Sequence, residues 1–353
     1  MTTTKILNPL PAPTWGYLGV NRAKTGLPET PASGWGDSGS RVGRIPRAVR
    51  VVCPGFRSLE SGAGAEFDGF LREQAQLRLH LAADRAVDEP ILLEHRLDGA
   101  HPNALTHVTV QARPGSRLTL IEVIRGGETG GVHGTLVEVC AGGGAEVTVI
   151  QLQMLGSAAR SLSGLAAETE QGAKVSLFRA ALGGKLSLGG SRCILRGSGS
   201  AFTARSIYYG DGESLVDLSD TAIHLGRDTC SEIHAAGVLD GAAEKTLRGT
   251  IDFHRGAVRA VGHESEDVLL LSPRVRNRTA PLILCGEEQV EGQHAASIGR
   301  LDENLLYYMA SRGIGEAEAK RALALGKYAP VLDMLPPDLR CEAEGYLERR
   351  LIP

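Results

Sequence analysis

From about residue 90 to 290 the chain alternates apolar and polar positions with a period of two. Examples are HVTVQA (107–112), RLTLIEV (117–123), TLVEV (135–139), EVTVIQLQML (146–155) and KVSLF (174–178). Alternation marks half-buried β-strands, because successive side chains leave a strand on opposite faces. Small residues after glycine precede the strands at an even step. Gly115-Ser116, Gly144-Ala145, Gly172-Ala173 and Gly199-Ser200 stand 29, 28 and 27 residues apart, and Gly241-Ala242 and Gly256-Ala257 follow. A period of this length, made of strands and turns with no helical pattern between them, is that of a solenoid. Stacked coil on coil, such strands make a parallel β-helix. A β-sandwich also has short alternating strands but is not expected to keep so even a step. The predicted fold is therefore mainly β, with a solenoid core over 49–298. FDGFLREQAQLRLHL (67–81) fits either a short helix or an alternating strand.

Beyond residue 300 the period changes to 3.6. Asp302 has the chemistry of an N-cap, and Glu303 in the first turn favours the helix dipole. Leu305, Leu306 and Met309 form an apolar stripe that Gly313 ends. A second helix is expected over Glu316 to Leu325, stopping at Gly326. A third segment carries Val331, Leu332 and Leu335 and stops at Pro336-Pro337. A fourth carries Leu339, Ala343, Tyr346, Leu347 and Leu351. These four short helices, over 299–353, either cap the solenoid or dock a partner; the pattern alone leaves both open. Residues 1–48, with Pro9, Pro11, Pro13, Pro28, Pro31 and Pro46, predict an extended arm with Trp15 and Trp35 as its two anchors.

Composition narrows the function. The chain of 353 residues carries 38 Lys+Arg against 41 Asp+Glu, a net charge of −3, which argues against a protein that tracks nucleic-acid phosphates. Glycine is abundant (45) and aromatic residues are scarce (4%), which suits many tight turns between short strands. No apolar run approaches the roughly 18–20 residues that span a bilayer. The start, MTTTKILNPLPAPTWG, has no apolar h-region, so no secretory signal is expected. Six cysteines, at 53, 140, 193, 230, 285 and 341, lie at least 37 residues apart with no CxxC pair. Isolated thiols predict a reducing compartment and a soluble, cytoplasmic protein.

Most motifs reduce to structure. Gly36-Asp37-Ser38-Gly39 spells a serine-protease nucleophile motif, but no histidine precedes Ser38, so it is expected to be a turn. Gly183-Gly184-Lys185 lacks the flanks of a phosphate loop, since Arg179 and Leu186 stand where glycine and Ser/Thr are required. Gly126 to Gly131 suits a flexible turn. The acidic set Asp211, Glu213, Asp217 and Asp220 matches no calcium loop and is expected on a solvated strand face rather than in a lyase-like site. His224, His234, His254 and His263 are expected to face outward. Cys285 and His294 differ: a strand-ending thiol and a lone imidazole flank an acidic turn with Glu287, Glu288 and Glu291. These are ligand types for iron–sulfur or zinc chemistry. Two ligands do not complete a four-ligand site, so a metal here would be shared with a partner. A surface histidine at a turn accounts for the same residues.

ILCGEEQVEGQHAASIGRLDENLLYYMASRGIGEAEAK (283–320) closely resembles the C-terminal signature of the SufB/SufD family of iron–sulfur cluster assembly scaffolds. The resemblance extends to LRGTIDFHRGAVRAVGHESEDVLLLSP (247–273) and touches LPAPTWGYLGVN (10–21). It implies a right-handed parallel β-helix followed by C-terminal helices. It also implies two related subunits paired through their β-helices, with the helices docking an ABC-type ATPase, SufC. By this resemblance 299–353 is an ATPase-docking module in which Leu305, Leu306, Met309 and Leu323 are candidate contacts. The family's histidine before the A-[TS]-x-G-x-[LI]-D-E run is here His294. Gly292 stands where some SufD chains carry a cysteine, and Glu266-Asp267 replaces the Cys-Asp pair of SufB chains. Both departures favour a non-enzymatic SufD-like subunit whose partner is SufB-like or a second copy. His294, Cys285 and Glu291 are candidate residues at a transient cluster shared with that partner, with no cluster held stably by this chain alone. ATP would be bound by the partner ATPase. Its dimerisation would open the His294 region to iron and persulfide sulfur.

Overall fold

The structure is a computed structural model that describes residues 6–31, 34–52, 57–300 and 302–351. Cys53 lies outside the described residues. The core is the expected β-solenoid, of about eight coils. Its strands alternate between two sheets, and each pairs in parallel with the strand one coil away. Sheet A ends at strand Glu291–Arg300 and sheet B at strand Arg276–Cys285.

The even glycine step has a backbone cause. Gly115, Gly144, Gly172 and Gly199 have φ of +71°, +65°, +65° and +68°, the left-handed region that only glycine enters freely. Each donates its N–H to the turn one coil on: Gly115 to Gly143 O, Gly144 to Gln171 O, Gly172 to Ser198 O and Gly199 to Arg227 O. The column continues without glycine. Asp228 (φ +56°) donates to Val258 O and Arg259 (φ +62°) to Gln289 O, and the two side chains form an ion pair at 2.6 Å. Gly241, read as the next member of the series, belongs to the turns on the other side of the coils, where its neighbour Ala242 donates to Gly212 O.

Register explains the core. In sheet B one inward column runs Leu81, Val110, Val139, Ala167, Cys193, Ala222, Ile251 and Ile283. In sheet A the facing column runs Ile91, Leu120, Val149, Leu177, Ala204 and Ile233, then turns polar at Glu264 and His294. A polar seam lies beside this apolar half. Glu122 accepts from Thr135 and Gln151, both at 2.7 Å, while Asp220 accepts from Ser191 at 2.6 Å and Arg179 at 3.3 Å. Buried charges persist because each has a partner across the lumen.

The ambiguous 67–81 stretch is both things in turn: helix α1 (Ala65–Gln74), then strand Leu77–Ala83. Phe67 and Leu71 of α1 pack on the outer face of sheet B against Leu105, Leu136 and Leu162. Trp35 joins that cluster, buried, with its Nε1 donating to Gln74 at 3.1 Å. Trp15 is no anchor; it stands 72% exposed.

At the C-terminus there are three described helices rather than four: α2 (Glu303–Ser311), α3 (Glu316–Leu332) and α4 (Pro337–Leu351). Asp302 caps α2, its carboxylate accepting from Asn304 N at 2.8 Å. Gly326 does not end α3, which runs on through Pro330. The lost helix bond and the poor propensity are outweighed by burial of Tyr328, Val331 and Leu332 against sheet A. Pro337 suits the first turn of α4, where its missing N–H has no helical partner.

Candidate functional site

Two flanks of the solenoid are covered and one end is not. Helices α3 and α4 do not cap that end. They lie along the outer face of sheet A, α3 over strands Lys174–Ala181, Ala201–Gly210 and Cys230–Leu239, and α4 over strand Glu146–Leu155. Polar clamps fix them: Lys327 to Asp267, Arg125 to Glu342 at 2.6 Å, Arg350 to Asp211 at 2.5 Å, and Tyr346 OH to Leu155 O at 2.6 Å. Leu323 is half-buried against the same cluster. Helix α2 differs, since it buries no residue. Leu305 is exposed, Leu306 and Met309 are half-buried, and Tyr307 and Tyr308 stand out by 78% and 54%.

The end near residue 300 is formed by two edge strands. Every residue of Glu291–Arg300 is exposed, and Arg276–Cys285 is exposed or half-buried throughout. His294 therefore sits in a strand rather than at a turn. It is the fourth residue of an edge strand, with Glu264 as its register partner. Because registered neighbours in a parallel sheet face the same way, His294 points with Glu264 toward the lumen. Cys285 pairs with the inward Phe253 and so closes the opposite sheet of the same opening. Glu291 begins the His294 strand and faces outward, 3.7 Å from His263. Among the described residues, no three His, Cys, Asp or Glu side chains gather closely enough to hold a metal ion.

Just inside the opening lies a charged floor that the sequence did not announce. Lys245 ion-pairs with Glu266, which also accepts from Thr279 and, at 3.0 Å, from Tyr208 OH. Glu264, 4% exposed, packs on the backbone of Gly249, where an added Cβ would stand 2.0 Å from Oε1. Its Oε2 has no hydrogen-bond partner among the described residues. Burial, then the charges of Glu266 and Asp220, push the Glu264 carboxyl up to about 7, with Lys245 opposing. Burial also lowers Lys245, against the pull of Glu266.

Asp217 and Asp220 are not on a solvated face. Both are 1% exposed, Asp217 paired with Arg248 at 2.6 Å and Asp220 with Arg179. Bound within the framework, they are not free for carbohydrate chemistry. His224 is also internal, held between Thr229 and Ser231 at 2.8 Å each and pushed down to about 4 by burial. His234 is half-buried, whereas His254 and His263 face solvent as expected. The GDSG stretch lies in non-helical loop, Ser38 Oγ accepting from Ser40 N at 3.1 Å. The described cysteines, 140, 193, 230, 285 and 341, are all free. No described helix is long and apolar enough to cross a membrane.

Comparison with known proteins gives the family. Residues 95–327 match the domain described as "SUF system FeS cluster assembly, SufBD core domain", and the chain belongs to the SufBD family. It is 32% identical over 158 residues to the iron-sulfur cluster assembly protein SufD of Bacillus subtilis, covering 44% of this chain and 36% of that protein. A SufBD family protein of Synechocystis is 30% identical over 159 residues, 45% of this chain and 33% of that protein. SufB of Bacillus subtilis is 25% identical over 214 residues, 61% of this chain and 46% of that protein. The chain thus spans less than half the length of each of these relatives.

Proposed function

We propose that this protein is the SufD-like subunit of a cytoplasmic SUF-type assembly complex. In this reading it pairs with a SufB-like subunit and docks a SufC-like ATPase, without catalysing a reaction itself. The observation that carries the proposal is the uncovered end. Two ten-residue edge strands expose their backbone there, with His294, Cys285 and the Glu264 floor facing the lumen they frame. Open edges are templates for strand pairing and are normally blocked when no partner exists. Pairing would cover His294 and supply the further ligands that a nascent cluster, the cargo, requires. Helix α2 would be the ATPase contact through Leu305, Leu306, Met309 and the two exposed tyrosines, with Leu323 supporting it from α3. Nucleotide-driven movement of the ATPase would reach the opening through α2, which begins three residues after the His294 strand.

Co-purification with a SufB-like subunit and a SufC-like ATPase tests this. The wild type is expected to give a ternary complex. The Leu305→Asp, Met309→Asp variant is expected to keep the SufB-like subunit and lose the ATPase. A wild-type chain that retains neither partner would overturn the proposal. Within an intact complex, His294→Ala is expected to slow cluster delivery.

A further inference from the structure

Among the described residues, Trp15, Tyr17 and Leu18 form an exposed apolar cluster that neither the opening nor α2 accounts for. Residues 7–23 form a hairpin on the outer face of sheet B: Ala23 N donates to Leu7 O at 2.8 Å and Leu10 N to Asn21 O at 3.0 Å. Its tip is locked. Asn21 Oδ1 accepts from Thr14 N at 2.7 Å, Asn21 Nδ2 donates to Thr14 O at 2.8 Å, and a single 3-10 turn closes at Gly19 with φ +66°. This rigid tip presents Trp15, Tyr17 and Leu18 to solvent, with Tyr17 83% exposed. Ordering such a loop merely to hold a tryptophan and a tyrosine in water gains nothing from burial. A pre-organised Trp–Tyr pair is instead the composition of an interface anchor, because little entropy is lost when it binds.

The hairpin is tied to the coils nearest the open end. Asn8 donates to Gly189 O at 3.2 Å and to Asp217 Oδ1 at 2.6 Å. Arg248 joins the same Asp217 to Val20 O. Lys24 shares Glu244 with Arg276 and Arg278 of the sheet B edge strand. Arg248 has Ala280 of that strand as its register partner, so the strand whose arginine holds Val20 is the edge strand's neighbour, about 4.8 Å from it. The tip folds back on this anchor, since Leu18 N donates to Trp15 O at 3.1 Å and Thr14 is bonded to Asn21, so Trp15 and Tyr17 stay close to Val20 and beside the last coils, next to where a further solenoid would be added.

We propose that the Trp15–Tyr17 tip is a clasp for the SufB-like subunit that joins at the open end, gripping the flank of its terminal coil from outside sheet B. The inference rests on the pairing reading above and adds to it a second, side-chain contact outside the strand edges. Trp15→Ala, Tyr17→Ala is the test, since neither side chain is buried and the fold does not depend on them. The variant is expected to weaken the isolated pair at least tenfold in sedimentation or interferometry. A photo-crosslinking residue at position 15 in the complete complex is expected to attach to the SufB-like chain. Ala296→Lys, Ile298→Lys, which places charge on the sheet A edge, separates the two ideas. If that variant abolishes pairing while the tip variant binds like wild type, the clasp is wrong and pairing stands. If the wild type forms no pair, pairing fails and takes the clasp with it. Crosslinks only within the chain, or to a second copy of it, also overturn the assignment.

Discussion

The two ends of the solenoid are treated in opposite ways. At the first, short antiparallel strands close both sheets: Ser40–Val42 lies against Ile91–Leu97, and Val49–Val51 against Leu77–Ala83. An antiparallel strand ends the coil-by-coil progression, because the parallel stacking rule cannot continue past it. At the other end the stacking stops with both edges bare. One end is finished with antiparallel strands and the other is left as two bare edges. The interior agrees. The sheet A column that holds Ile91, Leu120, Val149, Leu177, Ala204 and Ile233 becomes Glu264 and His294 in its last two coils. A lumen meant to stay dry and closed would not change character there.

That single column allows the contrast to be tested from its largest effect to its smallest. Leu120→Ala, in the closed half, removes a fully buried side chain and is expected to cost about 2–5 kcal/mol in urea unfolding. A cost below 1 kcal/mol would mean that the closed half is loosely packed. Glu264 comes next. Its carboxyl is raised from 4.5 to about 7, so the folded state holds a proton that the unfolded state releases. Its contribution is complete below about pH 4.5 and is lost as pH rises toward 7, on the order of 3 kcal/mol across that window. Glu264→Gln is expected to flatten this part of the stability–pH curve, and an unchanged slope would move the titration elsewhere. Last, His294→Ala on the exposed edge is expected to change the stability of the lone chain by less than about 0.5 kcal/mol. A larger loss would show that His294 supports the fold, contrary to its exposure.

Much of this was legible in the residues. Alternation located the strands, and the glycine step was a true reading of a left-handed turn repeated once per coil. It broke where Asp228 and Arg259 adopt that conformation without being glycine, and sequence cannot show which aspartate or arginine will do so. The polar seam was missed for a related reason. An inward polar residue has the same period as an outward one, and its partner sits across the lumen and one coil or more away, as Arg179 does from Asp220. The second expected helix was ended too early and a third split off from it, because local propensity at Gly326 and Pro330 yielded to packing against sheet A. Of the site, a thiol and a lone imidazole flanking an acidic turn already singled out Cys285 and His294. The Glu264 floor carried no motif, since it arises only when strands about 30 residues apart are laid side by side.

The ladder of turn amides, Gly115 to Gly143 O and onward to Arg259 and Gln289 O, sets the unit in which this molecule can change length. One extra residue inside a strand would break its ladder pairing and turn part of it inside out, whereas the turns absorb the differences between steps of 29, 28 and 27 residues. A whole coil inserted rung to rung would disturb neither pairing nor turns. Descent with altered length should therefore proceed by duplication or excision of complete coils, leaving the finished end, the bare end and the hairpin to travel as intact modules.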